Sequence, residues 1–310
     1  MKKQHNCAMN SESFKDGIHK NIAPSSRYYS LTPVLPLLIK EDKTLNRVFT
    51  AASLFLCIGL CVTVPCMSAS TTTDDSAKVA QLIDQGDKYS EQVFDNQKAL
   101  DMFTQALSLS PNNYDVLWRL SRTYVDIGEH LPNNTDAEKQ KQLDFYNKSL
   151  ECAKKAIAAD PHGAMGFTRE AIANGRIALF RGIWDAIDLV KQTKADCEKA
   201  ISLNASEAAA YYVLGRTHAK VCEKPKFIRW PLGLGWANMD DAITNYEKSI
   251  ELRPDFIMYR LDCARAYIEM DEYAKAREHL TKIASLPKKD EDDDIFRKEA
   301  TALLNSIKEK

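Results

Sequence analysis

Residues 99–111 read ALDMFTQALSLSP, and related phrases recur as AKKAIAADP at 153–161 and AITNYEKSIELRP at 242–254. Each phrase places Ala and other apolar residues three or four positions apart, which is typical of one face of an α-helix. Each then ends on a proline, which cannot continue a helix. A helix-ending phrase that recurs along the chain predicts a protein built from helical repeats.

The composition favours an all-helical chain. The 310 residues include only 11 Gly and 11 Pro, and runs of Val, Ile and Thr are scarce after residue 75, which argues against a sheet protein. We predict an all-α fold, a right-handed tetratricopeptide-like helical solenoid of about five helix pairs with a C-terminal capping helix. A single pair cannot bury its apolar face, so several pairs must stack.

The repeats are unevenly spaced. Pro111 and Pro161 lie 50 residues apart, whereas a regular array has a period of about 34 residues. The excess falls at 129–141, a polar stretch that we predict to be a loop. A second excess, at 183–190, is predicted to be helical, and a third follows Arg216.

The repeat pattern divides the chain after residue 76 into two segments. We assign 77–289 to the repeats and 290–310 to the capping helix. The capping helix begins with the acidic run 291–294, which is favourable at a helix N-terminus.

Residues 48–64 form an apolar run that basic residues precede and small residues follow. This order predicts a secretory signal peptide at 48–70, with an uncleaved membrane anchor, an organelle presequence or a buried helix as alternatives. Residues 1–47 are predicted to be a disordered extension, and 71–76 a polar linker. The predicted location is therefore exported (periplasmic) or membrane-anchored, with cytoplasmic or mitochondrial as the alternative.

Several function classes have no support in the sequence. Residues 71–310 have 34 Lys and Arg against 39 Asp and Glu, which gives no electrostatic reason to expect nucleic acid. The cysteines from Cys152 onward stand apart from one another and from histidines, so we predict no metal and no cofactor. Their disulfide state depends on export. No catalytic order of Ser, His and Asp appears, which predicts that the protein is not an enzyme.

The first helix of each pair is expected to line the concave face of the stack. Arginines beside aromatic rings on this face can clamp a carboxylate through bidentate hydrogen bonds. We predict a groove for a protein partner or an acidic or C-terminal peptide. The alternative is that these arginines only pair with acidic residues on adjacent helices. The predicted groove residues are Trp118, Arg122, Arg176, Tyr212, Arg216, Lys220 and Arg265.

A second candidate surface is the insertion loop 224–236, which reads KPKFIRWPLGLGW. Its aromatic residues are unusual in a solvated connection, and its basic residues suit an anionic lipid or membrane surface. We single out Phe227, Arg229, Trp230 and Trp236. The alternative is that the loop folds back and buries its aromatic rings.

The order of the repeats and their insertions resembles the family of regulators of microtubule dynamics. The matching stretches are ALFRG at 178–182, ADCEKAI at 195–201, VLGR at 213–216 and AITNYEKSI at 242–250. The resemblance covers roughly Ala77 to Ile307.

This resemblance implies a non-enzymatic tetratricopeptide-like scaffold associated with mitochondrial or reticular membranes. It also implies binding to microtubules and the spindle if the chain faces the cytosol. One branch of the family implies an alternative function as a carrier of lipid or a small apolar ligand at a membrane.

Overall fold

The computed structural model describes residues 73–310, and within this range it contains helices and no strand. The predicted all-α fold is therefore confirmed. The predictions for 1–47 and for a signal peptide or anchor at 48–70 lie outside the described residues. The helices are α1 (Thr73–Lys88), α2 (Asn96–Leu109), α3 (Tyr114–Glu129), α4 (Asp136–Ala159), α5 (Ala164–Ala178), α6 (Ile183–Leu203), α7 (Ala208–Cys222), α8 (Lys226–Arg229), α9 (Met239–Leu252), α10 (Ile257–Glu269), α11 (Tyr273–Ile283) and α12 (Asp293–Ser306).

Ten of these helices pack as five pairs: α1 with α2, α3 with α4, α5 with α6, α7 with α9, and α10 with α11. Each pair also packs on the next along the chain, and α12 packs on α10 and α11 as the capping helix. The short α8 lies inside the insertion of the fourth pair. None of the helices within residues 73–310 has the length and apolarity needed to span a membrane.

The turns between repeats share one backbone geometry. Ser110, Asp160 and Arg253 each end a helix and precede a proline, with φ of −142°, −141° and −137°. The following proline ring excludes helical geometry at these positions. Asn204 reaches φ −144° without a proline after it, and its side chain accepts the backbone N–H of Ser206 at 3.0 Å. The same turn therefore leads into the next repeat in all four cases.

The two helices of a pair approach closely where a small residue faces the partner helix. A Cβ added at Gly86 would lie 2.3 Å from the Phe103 ring, and one at Gly215 would lie 2.9 Å from the backbone oxygen of Ala242. In the second pair the contact is polar, because the hydroxyl groups of Ser121 and Ser149 share a hydrogen bond of 2.9 Å. Such contacts fix the pairing at close-packed distance.

The polar loop predicted at 129–141 is shorter than expected. The prediction is wrong from Asp136 onward, where α4 begins. Thr135 accepts the backbone N–H of Glu138 at 3.2 Å, and the Glu138 carboxylate accepts that of Thr135 at 2.9 Å. This capping box starts the helix early. The helix predicted at 183–190 is confirmed, because α6 covers it.

The predicted linker 71–76 also differs from the structure, because α1 already begins at Thr73. Asp74 and Asp75 lie in its first turn. Their negative charges favour a helix start over a linker.

Candidate functional site

The first helices of the second to fourth pairs, α3, α5 and α7, line a cavity of about 890 Å³. A neighbouring cavity of about 460 Å³ lies against α10 and Phe296. The acidic segment that precedes α12 also lines the larger cavity. This inner surface contains most of the residues that the sequence predicted for a binding groove.

The acidic segment is held against the first two repeats. Glu291 accepts a hydrogen bond from the side chain of Asn96 at 2.9 Å. His130 lies 2.9 Å from Glu291 and 3.3 Å from Asp292. Burial lowers the pKa of His130, but the Asp126 carbonyl and the Glu291 carboxylate outweigh it and raise the pKa above its ordinary value. The His130 imidazole therefore joins the acidic segment at the end of the array to its start.

A hydrogen-bonded network centred on Asp262 connects α7 with α10. The Tyr212 hydroxyl donates to Asp262 at 2.7 Å, and Arg216 donates to Asp262 at 3.2 Å and to Tyr212 at 2.8 Å. Arg265 donates to the other oxygen of Asp262 and lies 2.6 Å from Glu299. Tyr212 and Asp262 raise the pKa of Arg216 above its ordinary value. The structure therefore brings three predicted groove residues together, Tyr212, Arg216 and Arg265. All three already donate hydrogen bonds to Asp262.

The other basic groove residues are also paired. Arg122 donates to Glu91 at 2.6 Å and to Ser90, and Arg176 forms an ion pair with Glu129. Lys220 lies 2.6 Å from Glu223. Trp118 lies apart from the Asp262 network, with the guanidinium of Arg119 at 4.1 Å from its ring. The predicted cations thus all have acidic partners within the chain.

Arg169 on α5 differs from these arginines and was missed in the sequence. Within residues 73–310 it has no acidic group within ion-pair distance, and its buried Nε has no hydrogen-bond partner. Its guanidinium lies 5.8 Å from the centre of the Trp118 ring and lines the larger cavity. Burial lowers its pKa to about 10. Its place next to Thr168, on the inner face of α5, was the available sequence signal.

Asp126 lies on the same side of the cavity, on α3. Burial raises the pKa of its carboxyl group to about 7, although Arg122 and Arg169 both act in the opposite direction. The α3–α5 region therefore contains an acid that is partly protonated near neutral pH and an arginine whose buried Nε has no hydrogen-bond partner.

The insertion loop is divided between a buried half and an exposed half. Trp236 packs edge-on against His218 at 4.9 Å. Arg229 is only 6% exposed and donates to the Ala237 carbonyl at 2.6 Å. The prediction that Arg229 faces an anionic surface is therefore wrong, because its charge holds the loop together from inside. Phe227 and Trp230 are 76% and 79% exposed.

A group of metal-ligating side chains lies elsewhere, where α9, α10 and α11 meet. Glu247, Cys263 and His279 place one ligand atom each within 4.8 Å of the other two. The sequence predicted no metal ligands, because Cys263 is 16 residues from each of the other two. The packing of three helices supplies a proximity that no spacing motif indicates.

Comparison with known proteins places the chain among helical repeat proteins. A family model described as regulator of microtubule dynamics protein 1-3 matches residues 82–308. Regulator of microtubule dynamics protein 3 from Rattus norvegicus is 27% identical over 249 residues, which cover 76% of this chain and 51% of the rat protein. Regulator of microtubule dynamics protein 1 from Pongo abelii is 24% identical over 250 residues, which cover 79% of this chain and 77% of the Pongo protein. The chain thus spans about half the length of the rat protein.

A thermophilic TPR protein from Thermus thermophilus has a similar solved structure. It matches with a TM-score of 0.53 and 19% identity, covering 74% of this chain and 99% of the Thermus chain. At this identity the likeness shows the fold alone, a tetratricopeptide-like helical solenoid.

Proposed function

Because this chain belongs to the regulator of microtubule dynamics protein 1-3 family, we propose that it is a non-enzymatic scaffold whose inner surface binds an acidic segment of a partner protein. The family and the fold support a helical protein-interaction scaffold. The acidic character of the segment is an inference from the inner surface, and Arg169 is the observation that carries it.

Arg169 is partly buried, and its buried Nε has no hydrogen-bond partner, which is costly to the folded chain. A carboxylate that reached Arg169 would form charge-assisted hydrogen bonds, which are roughly twice as strong as neutral ones. The adjacent Trp118 ring, 5.8 Å from the guanidinium, provides an apolar contact for a neighbouring side chain. Arg216 and Arg265 are less suited to this role, because a ligand would have to displace Asp262.

A short peptide probe tests this function on the full chain. The probe is a fluorescent Glu-rich peptide with one Phe and a free carboxyl terminus, and the matched probe replaces each Glu by Gln and amidates the terminus. Arg169→Gln is expected to weaken binding of the acidic probe by about 10- to 100-fold, since hydrogen bonds to charged groups contribute about 1.5–3 kcal/mol. Fluorescence anisotropy measures both affinities.

Lys155→Ala is the control variant, because Lys155 is an exposed cation already paired with Glu151 at 2.7 Å. It should bind the acidic probe as the unmodified chain does. Equal binding of both probes, or an unchanged affinity of a helical Arg169→Gln variant, would show that Arg169 does not select acidic segments.

A second candidate function is that of a carrier of lipid or a small apolar ligand at a membrane. The specific observation in its favour is the exposure of Phe227 and Trp230 on and beside α8, with Lys224 and Lys226 exposed next to them. Aromatic side chains and lysines together suit the interface of an anionic membrane.

Flotation of the full chain with vesicles tests this candidate. Vesicles of phosphatidylcholine with phosphatidylserine should bind the chain more strongly than phosphatidylcholine alone. The double variant Phe227→Ser and Trp230→Ser should lose most of this binding. Ile295→Ser on α12 is the control, because Ile295 is 60% exposed but lies outside the loop. Equal flotation of the double variant would contradict the membrane role.

We propose a cellular location and a microtubule partner together, because the partner depends on the location. A chain cleaved after Ser70 would be exported, whereas retention of 48–64 would favour an anchor. N-terminal sequencing of the native protein distinguishes the two.

The name of the relatives points to microtubules, which we propose as a partner only for a cytosolic form. Cosedimentation with polymerised tubulin tests that proposal, and failure to sediment contradicts it.

A further inference from the structure

The junction between the fourth and fifth helix pairs brings three different ligand types together. Cys263 Sγ on α10 lies 3.8 Å from His279 Nε2 on α11 and 3.9 Å from Glu247 Oε1 on α9. His279 Nε2 lies 3.1 Å from the same carboxylate oxygen. The three atoms form a compact triangle, and the proposed binding functions do not involve these residues.

This triangle has nearly the size that a zinc ion requires. Zinc bonds of about 2.3 Å to sulfur and about 2.0–2.1 Å to nitrogen or oxygen, at tetrahedral angles, place ligand atoms about 3.3–3.6 Å apart. The three separations given above differ from these values by only a few tenths of an ångström. Small side-chain rotations would therefore let one ion bridge Glu247, Cys263 and His279.

The chemistry of the ligands selects the metal. A thiolate and an imidazole favour zinc and neighbouring transition metals, whereas magnesium and calcium prefer oxygen ligands alone. Three protein ligands leave the fourth position of a tetrahedral site open. The Glu247 side chain is 43% exposed, so solvent can reach that side of the triangle.

A tyrosine orients two of the three ligands. The Tyr267 hydroxyl donates to Glu247 Oε1 at 2.9 Å, and its ring stacks on the His279 ring with centroids 5.6 Å apart. Cys263 is fully buried and His279 is 7% exposed. Packing therefore fixes Cys263 and His279, and Glu247 completes the triangle from the surface.

We propose that Glu247, Cys263 and His279 bind one zinc ion, with water in the fourth position, at the junction of the fourth and fifth repeats. Binding displaces the thiol proton of Cys263 to solvent, and His279 binds through Nε2 as a neutral imidazole that carries its proton on Nδ1. The ion links helices of both repeats, so its binding free energy stabilises this junction.

Two features set the strength of the site. Burial raises the pKa of the Cys263 thiol well above its ordinary value, so zinc must displace a firmly held proton and its affinity falls as the pH is lowered. His279 Nδ1 is buried without a hydrogen-bond partner. Since loss of such a partner typically costs about 10- to 100-fold in affinity, we expect a site weaker than a structural zinc finger.

Cobalt titration of the full chain tests the proposal, because a four-coordinate cobalt thiolate has a charge-transfer band in the near ultraviolet and intense visible bands. The unmodified chain should show these bands and bind one more cobalt or zinc ion than Cys263→Ala does. Zinc should raise the unfolding temperature of the unmodified chain and not that of Cys263→Ala. Cys152→Ala, which removes a thiol outside the triangle, should behave as the unmodified chain.

Glu247→Gln keeps the test valid if a core variant fails to fold, because Glu247 is half exposed. Glu247→Gln and His279→Gln should each weaken zinc binding by at least about 10-fold, as measured by calorimetry at fixed pH. The proposal is overturned if the unmodified chain shows no thiolate band with cobalt. Equal zinc stoichiometry and affinity in folded Glu247→Gln would also overturn it.

Discussion

In the region between α7 and α10, Asp262 accepts hydrogen bonds from Tyr212, Arg216 and Arg265. In the region between α3 and α5, Arg169 forms no ion pair with any residue in 73–310, its buried Nε has no hydrogen-bond partner, and it lies over the Trp118 ring. Both regions line the same inner surface. An arginine that is already satisfied holds two helices together, whereas an unsatisfied one is available to a ligand.

The largest expected effect comes from removing the acid at the centre of the satisfied network. Asp262→Ala should lower the free energy of unfolding by about 2–3 kcal/mol. This is somewhat less than the about 3–5 kcal/mol lost when a fully buried pair is broken. The lower figure applies because the Arg216 side chain keeps 33% of its surface in solvent. Urea unfolding followed by circular dichroism measures the change.

The double variant Asp262→Ala with Arg216→Met controls for the charge left behind. It should recover part of the lost stability, because an unpaired cation no longer remains at the α7–α10 contact. If Asp262→Ala unfolds at the same urea concentration as the unmodified chain, the network is not structural and the contrast with Arg169 fails.

One glycine in each region tests how closely its helices pack, Gly215 on α7 and Gly175 on α5. Gly215→Ala on α7 should lower stability by about 1–2 kcal/mol, because overpacking costs about 1–3 kcal/mol. The new Cβ would lie 2.9 Å from the backbone oxygen of Ala242, which cannot turn away. Gly175→Ala on α5 has only Thr193 Cγ2 at 4.0 Å. It should gain about 0.5–1 kcal/mol from helix propensity.

Thermal unfolding of both glycine variants measures this difference. Opposite signs are expected for the two substitutions. A loss of stability in both would mean that the α5–α6 pair is packed as closely as α7 and α9.

The α3–α5 region should also make stability depend on pH through Asp126. Its pKa in the folded chain, about 7, lies above the ordinary value of 3.8, so the folded chain holds a proton that the unfolded chain has released. The stability from this group is complete below pH 3.8 and is lost as the pH rises through about 7. The groups facing Asp126 are Arg122, Glu129, Arg169 and Asp290.

Asp126→Asn removes this titration and should flatten the decline of stability between pH 5 and pH 8, which lie about two units below and about one unit above the shifted pKa. Urea midpoints at the two pH values, compared with those of the unmodified chain, give the measurement. Parallel declines in both proteins would show that Asp126 ionises normally in the folded chain.

The smallest expected effect on stability is that of Arg169→Gln. Because no partner is lost, the free energy of unfolding should be unchanged or higher by up to about 1 kcal/mol. The same urea experiment as for Asp262→Ala measures it. A loss comparable to that of Asp262→Ala would mean that Arg169 supports the fold and is not reserved for a ligand.

The helix pairs, the turns and the capping helix could be predicted, because each depends on residues close together in sequence. Proline at 111, 161 and 254 marks three helix ends, and the extra residues 183–190, at the start of α6, carry a clear helical pattern. The length of the loop before α4 was overestimated, since a capping box of only two residues, Thr135 and Glu138, overrode its polar composition.

The candidate site was predicted less well. The positions of Arg122, Arg176, Arg216 and Arg265 on inner helices followed from the repeat register, but their partners did not. Asp262 is 46 residues from Arg216, and Glu91 is 31 residues from Arg122. Whether a given cation is satisfied depends on which helices become neighbours.

The sequence by itself determined that this chain is a helical repeat protein, because hydrophobic periodicity and helix-ending prolines act through local backbone geometry. Only the tertiary structure decided which arginine stays unpaired, which half of the insertion loop is buried, and that Glu247, Cys263 and His279 meet. These properties depend on distances between groups on different helices. Such distances are set by how side chains pack across each helix pair, and the spacing of residues along the chain does not contain them.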